Sequence, residues 1–359
     1  HHQFQGRNMN EIRIGVIGSG FMGRTHVDAA SKIDATIPVA VTSGRRAKQL
    51  AADYGIDHEP DVKALVQRDD IDAVVISTPH WLHHEEAMLA ANAGKHVLVE
   101  KPMATSLEHC DQMITACKDH GLTLSVGYHQ RFRESNYTTR NLIQAGEIGH
   151  IRCIQMSALF DITALRSDPG FGGNWDWWTN PLAMAHLMNS APHNIDLLRW
   201  WLGSDLVNVS AQCGTYREDN PNENTTMALL KFDSDATSTY WSSSVLPSPG
   251  FPDEEFRFRI MGDSGIIDLN PYGQLNISRA GKMETVFEQP KVGHEEADSA
   301  FAMPRMQAYC DQIQGFVNSI NGSPGGEGTA EDGRAGVEAV LAMLQSSRNQ
   351  QTTTIKKDA

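Results

Sequence analysis

The stretch Ile12-Arg13-Ile14-Gly15-Val16-Ile17-Gly18-Ser19-Gly20-Phe21-Met22-Gly23 runs from an apolar segment into three glycines spaced GxGxxG, and a helical pattern follows directly. Each glycine has a steric reason. Gly18 permits a tight turn, Gly20 lets the backbone approach a pyrophosphate, and Gly23 lets the helix pack closely on the strand. The helix N-terminus, with the amides of Phe21 and Met22, adds donors and a dipole that favours an anion. A glycine-rich loop alone carries little information; here strand, turn, helix and N-terminal position agree on a dinucleotide site.

Outward from this turn, short apolar runs alternate with amphipathic stretches as far as Val126. That is the pattern of a parallel sheet covered by helices on both faces. Strands are expected at Ile12-Ile17, Ile37-Thr42, Ala73-Ser77, His96-Val99 and Thr123-Val126. Helical spacing covers Asp61 to Val66, Leu82 to Ala93 and Leu107 to His120, the last capped by Ser106. After Arg131 the rhythm lengthens, and Ile151-Phe160, Leu206-Tyr216, Thr225-Phe232, Thr237-Val245 and Phe256-Met261 read as antiparallel strands with one covered face. Helices at Met303-Ile320 and Ala330-Ser346 close the chain around a turn-rich loop, Asn321 to Gly328. The expected fold class is α/β, an N-terminal doubly wound (Rossmann) domain over 10–127 followed by an α+β domain over 128–355.

A chain of 359 residues with 40% hydrophobic and 21% charged residues suits two globular domains. No segment offers the roughly 18 to 20 apolar residues that a membrane helix needs. The formal net charge of -14 argues against nucleic acid, which demands a basic face. Five cysteines without a CxxC pair indicate neither a disulfide framework nor a zinc site, and reduced thiols in the cytoplasm are the simplest reading. The leading His1-His2-Gln3-Phe4-Gln5-Gly6 reads as a tag remnant, so its histidines enter no metal argument and no metal is expected.

Cofactor choice is read at the end of the second strand. An NAD site usually places a carboxylate there to hold the ribose hydroxyls. This chain instead has Ser43-Gly44-Arg45-Arg46, a hydroxyl and two guanidinium groups suited to a 2′-phosphate. NADP is favoured and NAD is the alternative, because Arg45 and Arg46 can equally be solvated helix residues. The loops Ser77-Thr78-Pro79-His80-Trp81-Leu82-His83 and Val99-Glu100-Lys101-Pro102 follow the next two strands, where open α/β sheets place ligands. Thr78, Pro79, His80, His83, Glu100 and Lys101 therefore join the cofactor-site candidates. A lysine between a buried strand and a proline is not a casual surface charge, since Pro102 fixes the backbone.

Taken together, the glycine turn, Thr78-Pro79 with His83, Gly94-Lys95-His96-Val97 leading into Glu100-Lys101-Pro102, Arg131-Phe132 and His193-Asn194-Ile195-Asp196-Leu197-Leu198 resemble the Gfo/Idh/MocA (glucose-fructose oxidoreductase, inositol dehydrogenase, rhizopine catabolism) family. The resemblance spans nearly the whole chain, and its glutamate-lysine-proline element is the specific part. It implies a second domain with a large, mainly antiparallel open sheet carrying the substrate pocket, often an oligomer interface as well; a homodimer or homotetramer is expected. It also implies that Lys101 and His193 face the substrate. Hydride removal from a carbinol carbon requires loss of its hydroxyl proton, which a near-neutral histidine accepts while lysine stabilises the developing alkoxide.

Departures accompany the likeness. Asn189 stands where many such dehydrogenases have aspartate, and an amide cannot accept a proton. His129-Gln130 replaces a common asparagine, and Ala183-Met184-Ala185-His186 replaces common glycines. With Asn189, the residues His129, Arg131, Trp175, Asp176 and Trp177 are substrate-site candidates, although the tryptophans of Asn174-Trp175-Asp176-Trp177-Trp178 can equally fill a core or an interface. The expected activity is NAD(P)-dependent hydride transfer on a sugar, glycoside or polyol. Two alternatives stand: glycoside processing by transient oxidation with tightly bound NAD(H), and a non-catalytic dinucleotide-binding regulator.

Overall fold

The computed structural model describes residues 11–163, 176–216, 222–251, 256–289 and 301–355. Its first layer is a seven-stranded sheet, ordered Gly328–Thr329, Leu124–Val126, His96–Val99, Ala73–Ile76, Ile12–Ile17, Thr36–Thr42 and Asp57–His58. All neighbours are parallel except the antiparallel edge strand Gly328–Thr329. Val16, Ile17, Val74, Val75, Val97 and Leu98 are fully buried, so both faces of the sheet are covered. That explains why these strands read as continuous apolar runs. The strand order reverses between Ile12–Ile17 and Ala73–Ile76, and there the glycine turn and the Thr78 loop lie side by side.

The second layer is a nine-stranded sheet, ordered Lys282–Glu288, Gln274–Arg279, Gly265–Leu269, Phe256–Gly262, Ile151–Leu159, Thr237–Ser243, Thr225–Phe232, Leu206–Gly214 and Thr353–Thr354. Only the pair Ile151–Leu159 and Thr237–Ser243 is parallel. One face packs against the helices Ala185–Leu202 and Ala330–Asn349. The other is open, and alternation shows it: Leu230 and Phe232 are buried while Met227 and Leu229 on the same strand are exposed. A groove of about 540 Å³, lined by Gln155, Met227, Leu229, Trp241, Arg257 and Gln350, crosses this open face.

The five expected strands and three expected helices of the first layer form, with ends shifted by a residue or two and with His80–Leu82 a separate 3-10 turn before the helix His83–Asn92. The helix Leu107–Asp119 is capped as anticipated, Ser106 accepting from the amide of His109. Three strands over 265–288 were not expected. The outermost, Lys282–Glu288, is an exposed edge on which Lys282, Glu284 and Glu288 are interspersed with Met283, Val286 and Phe287, so its apolar positions do not stand out. The helix Ala185–Leu202 contains Pro192, which interrupts the helical signal in the sequence.

The second domain does not simply run on from residue 128. Helix Met303–Ile320 lies back on the first sheet, where Met306, Tyr309, Ile313 and Phe316 share one core with Ile14, Val16, Val27 and Val75. The chain thus supplies the Rossmann layer from both of its ends.

Candidate active site

At the glycine turn, Gly18 adopts φ +114°, and a Cβ there would lie 2.7 Å from Ser77 Oγ. A Cβ on Gly23 would come 2.1 Å from the carbonyl oxygen of Gly18. Gly20 differs, because a Cβ on it would meet nothing within 4 Å. The protein's own packing therefore requires glycine at 18 and 23 but not at 20, where the open space is the kind a pyrophosphate fills. Helix Phe21–Ser31 begins there with no side chain capping its amides, which leaves them available to an anion. Beside it, Ser43 and Gly44 both have positive φ, a Cβ on Gly44 would lie 2.5 Å from Ser19 Oγ, and Arg45 and Arg46 are exposed.

The two loops beyond the switch point are tied together by protein contacts. His83 is buried with its ring nitrogens 2.8 Å from the carbonyl oxygens of Thr78 and Pro102, bridging both loops. Thr78 Oγ1 donates to Glu86, whose carboxyl is pushed by burial up to about 7. Glu100 is buried, lies 2.8 Å from His26 Nε2, and accepts at 3.2 Å from the amide of Lys101. Burial pushes its carboxyl up, but the His26 hydrogen bond and the Lys101 charge outweigh that and hold it below the usual carboxylate range. The Lys101–Pro102 peptide is cis. Thr78, His83 and Glu100, expected at the cofactor, also tie together the loops that present Lys101.

Lys101 Nζ donates to the carbonyl oxygen of Asn189 at 2.9 Å and to its side-chain Oδ1 at 3.1 Å. Pro192 has no amide hydrogen and disturbs the helical ladder one turn upstream, and in that turn Asn189 receives the lysine. His193 stands four residues on, with Nδ1 buried and without a hydrogen-bond partner. Burial, then the Lys101 charge, holds its imidazole well below the usual range; burial also lowers Lys101. The His129 ring meets His193 edge-on at 4.8 Å and stacks on Tyr309 at 4.3 Å. One ammonium and two imidazoles can together bind an oxygen, take its proton and stabilise its charge.

Other candidates are held by contacts of their own. Arg131, expected at the substrate, is buried and engaged: its guanidinium donates to Asp196 at 2.8 Å and to Asp332 at 2.8 Å, joining the turn His129–Phe132 to two helices. A buried guanidinium so paired holds the fold and has no donor fork left for a substrate. Trp177 packs its ring 5.3 Å from His80, and His80 lies 3.4 Å from the Ala183 carbonyl. Trp178 is fully buried beside Ile162. Trp175 and the side chain of Asp176 lie outside the described residues. Sequence reading missed Tyr309 and Arg305, whose guanidinium lies over the rings of Phe21 and Tyr309 at 4.6 and 4.7 Å. They sit on a helix more than 170 residues downstream of His129, and nothing in its pattern points to a site.

A doubly wound layer with an uncapped glycine-rich helix start, joined to an open-sheet domain that contributes a histidine beside its lysine, defines a dinucleotide-binding oxidoreductase architecture. Comparison with known proteins bears this out. Residues 12–128 match the model of the oxidoreductase family with NAD-binding Rossmann fold, Gfo/Idh/MocA, and residues 137–268 match the C-terminal domain of the same family. The chain belongs to the Gfo/Idh/MocA family. It is 33% identical over 206 residues to the 4-carboxy-2-hydroxymuconate-6-semialdehyde dehydrogenase of a Sphingobium species, an alignment covering 56% of this chain and 62% of that one. It thus spans less than two thirds of that relative's length. Inositol 2-dehydrogenase 2 of Saccharopolyspora erythraea is 26% identical over 358 residues, 96% of each chain. Among solved structures, an oxidoreductase domain protein from Kribbella flavida superposes with a TM-score of 0.83 at 22% identity, covering 97% of this chain and 100% of its own.

Proposed function

We propose that this protein is an NAD(P)-dependent dehydrogenase or reductase acting on a sugar, glycoside or polyol. The observation that carries the reading is the pairing of Lys101, fixed on Asn189, with His193, whose Nδ1 is unpartnered, beside the uncapped glycine-rich turn. The amides at the helix start, from Gly20 to Met22, would hold the pyrophosphate. The nicotinamide, when bound, supplies or accepts the hydride.

The chain's own residues do the rest. An ammonium has three donor hydrogens. Asn189 accepts two from Lys101, and the third is left for the substrate oxygen, which it orients and whose negative charge it stabilises. His193, held below the usual imidazole range, is a free base at neutral pH and takes the carbinol proton. Asn189 positions the lysine without adding a charge. The test follows reduced-nicotinamide absorbance with a panel of sugars, polyols and glycosides. Lys101→Ala is expected to lower kcat by about 10²- to 10⁴-fold, the usual scale of general acid–base and electrostatic contributions; equal rates for wild type and variant would end this assignment.

The preference for NADP rests on Ser43, Arg45 and Arg46 and on the lack of a carboxylate at the end of the second strand. Arg45→Ala should then weaken NADP more than NAD. The open face of the large sheet suits self-association into a dimer or tetramer, and five free cysteines suit a reducing compartment such as the cytoplasm. Among the described residues no helix is long and apolar enough to cross a membrane.

A further inference from the structure

Arg133 is 8% exposed, its Nε is buried without a hydrogen-bond partner, and among the described residues no carboxylate pairs with it. The contrast with Arg131, two residues earlier and equally buried, is direct: that guanidinium is saturated by Asp196 and Asp332. Buried cations are ordinarily paired, and an unpaired one in a folded protein calls for an anion from outside.

Its surroundings are built. The guanidinium lies over the ring of Tyr272 at 4.2 Å, and Tyr272 Oη accepts from Gln130 Nε2 at 2.9 Å. The same Nε2 is 3.3 Å from His129 Nε2, and the His129 ring meets His193. Arg133 is close enough that its charge helps to depress His129, together with burial, His193, Arg305 and Lys101. The charged groups that act most strongly on that imidazole are basic. The acid nearby, Glu100, is engaged by His26 and by the amide of Lys101. Asn189 adds no negative charge where a carboxylate would have balanced the lysine.

Resting on the oxidoreductase reading above, we propose that the substrate is a sugar acid: its carboxylate pairs with Arg133 on the His129 side while its carbinol lies at Lys101 and His193. A planar guanidinium matches a carboxylate through two parallel hydrogen bonds. Its planar fork offers two parallel donors, the number that one carboxylate accepts.

The test compares matched pairs, D-glucuronate with D-glucose, D-galacturonate with D-galactose and D-gluconate with D-glucitol, and adds glucose 6-phosphate. Both kcat/KM and calorimetric binding to the dinucleotide-loaded enzyme are measured. The acid of at least one pair should exceed its neutral partner tenfold or more, mainly through KM. Arg133→Gln should collapse that ratio at least tenfold, and Arg133→Lys, which keeps the charge, should retain part of it. A ratio untouched by Arg133→Gln, or preference for the neutral or the phosphorylated sugar, overturns the proposal while leaving the oxidoreductase reading in place. Absence of turnover with every compound removes the oxidoreductase reading; carboxylate binding that Arg133→Gln abolishes would then still support the anion site, and its absence would overturn that too.

Discussion

Gly20 and Gly23 belong to one motif but answer to different forces. Alanine at 23 would drive its Cβ to 2.1 Å from the Gly18 carbonyl, whereas alanine at 20 meets only open space in a backbone conformation, φ -75°, that any residue adopts. Gly23→Ala should therefore fail to fold or melt many degrees lower. Gly20→Ala should keep the wild-type melting temperature within a degree or two and lose tenfold or more in dinucleotide affinity, read by thermal denaturation and by titration with NAD and NADP. Equal destabilisation by both would contradict this division. The motif itself was plain in the sequence, as was Lys101 with its proline. The function of a guanidinium was not: Arg131 and Arg133 look alike along the chain, and only folding places Asp196 and Asp332, 65 and 201 residues away, against the first and, among the described residues, leaves the second without an acid.

The Thr78 loop and helix His83–Asn92 are joined through Glu86, and that junction carries a titration. Its carboxyl is raised by burial from 4.5 to about 7. Between those values the folded state holds a proton that the unfolded chain has lost, so stability falls as pH rises through this window, and the full cost remains above it. At about 1.4 kcal/mol per pH unit the cost amounts to about 3 kcal/mol. Glu86→Gln keeps an acceptor for Thr78 and removes the charge. The variant should gain stability over wild type at pH 8 and lose that gain near pH 4.5, measured by urea denaturation at both; a pH-independent difference would refute it. Elements were legible where burial and periodicity agree, as in the doubly covered strands Ile12–Ile17 and Ala73–Ile76. They were obscure where a local rule is broken for a reason: a proline sits inside the helix that carries His193, and charged and apolar residues are mixed along the exposed edge strand Lys282–Glu288.

Across the whole molecule, the open face of the nine-stranded sheet exposes Met227, Leu229, Met261 and Ile266. Exposed apolar side chains on an open sheet face suit an interaction site. Burial of this face between two copies predicts that Leu229→Glu shifts the protein to monomer in light scattering while its circular dichroism stays unchanged; an unaltered mass would place the interface elsewhere. Alternation along Thr225–Phe232 made the two-faced character of that sheet readable in advance. The return of helix Met303–Ile320 to the first layer was not, because its apolar stripe states only that one face is buried and never against which partner. That return governs how such a chain can be cut and recombined. A fragment ending near Gly127 would keep the glycine turn yet lack Met306, Ile313 and Phe316 from its core and Gly328–Thr329 from its sheet edge. A transplantable nucleotide-binding module consequently needs two pieces of gene, and swapping substrate halves between relatives demands a junction on each side of the inserted domain.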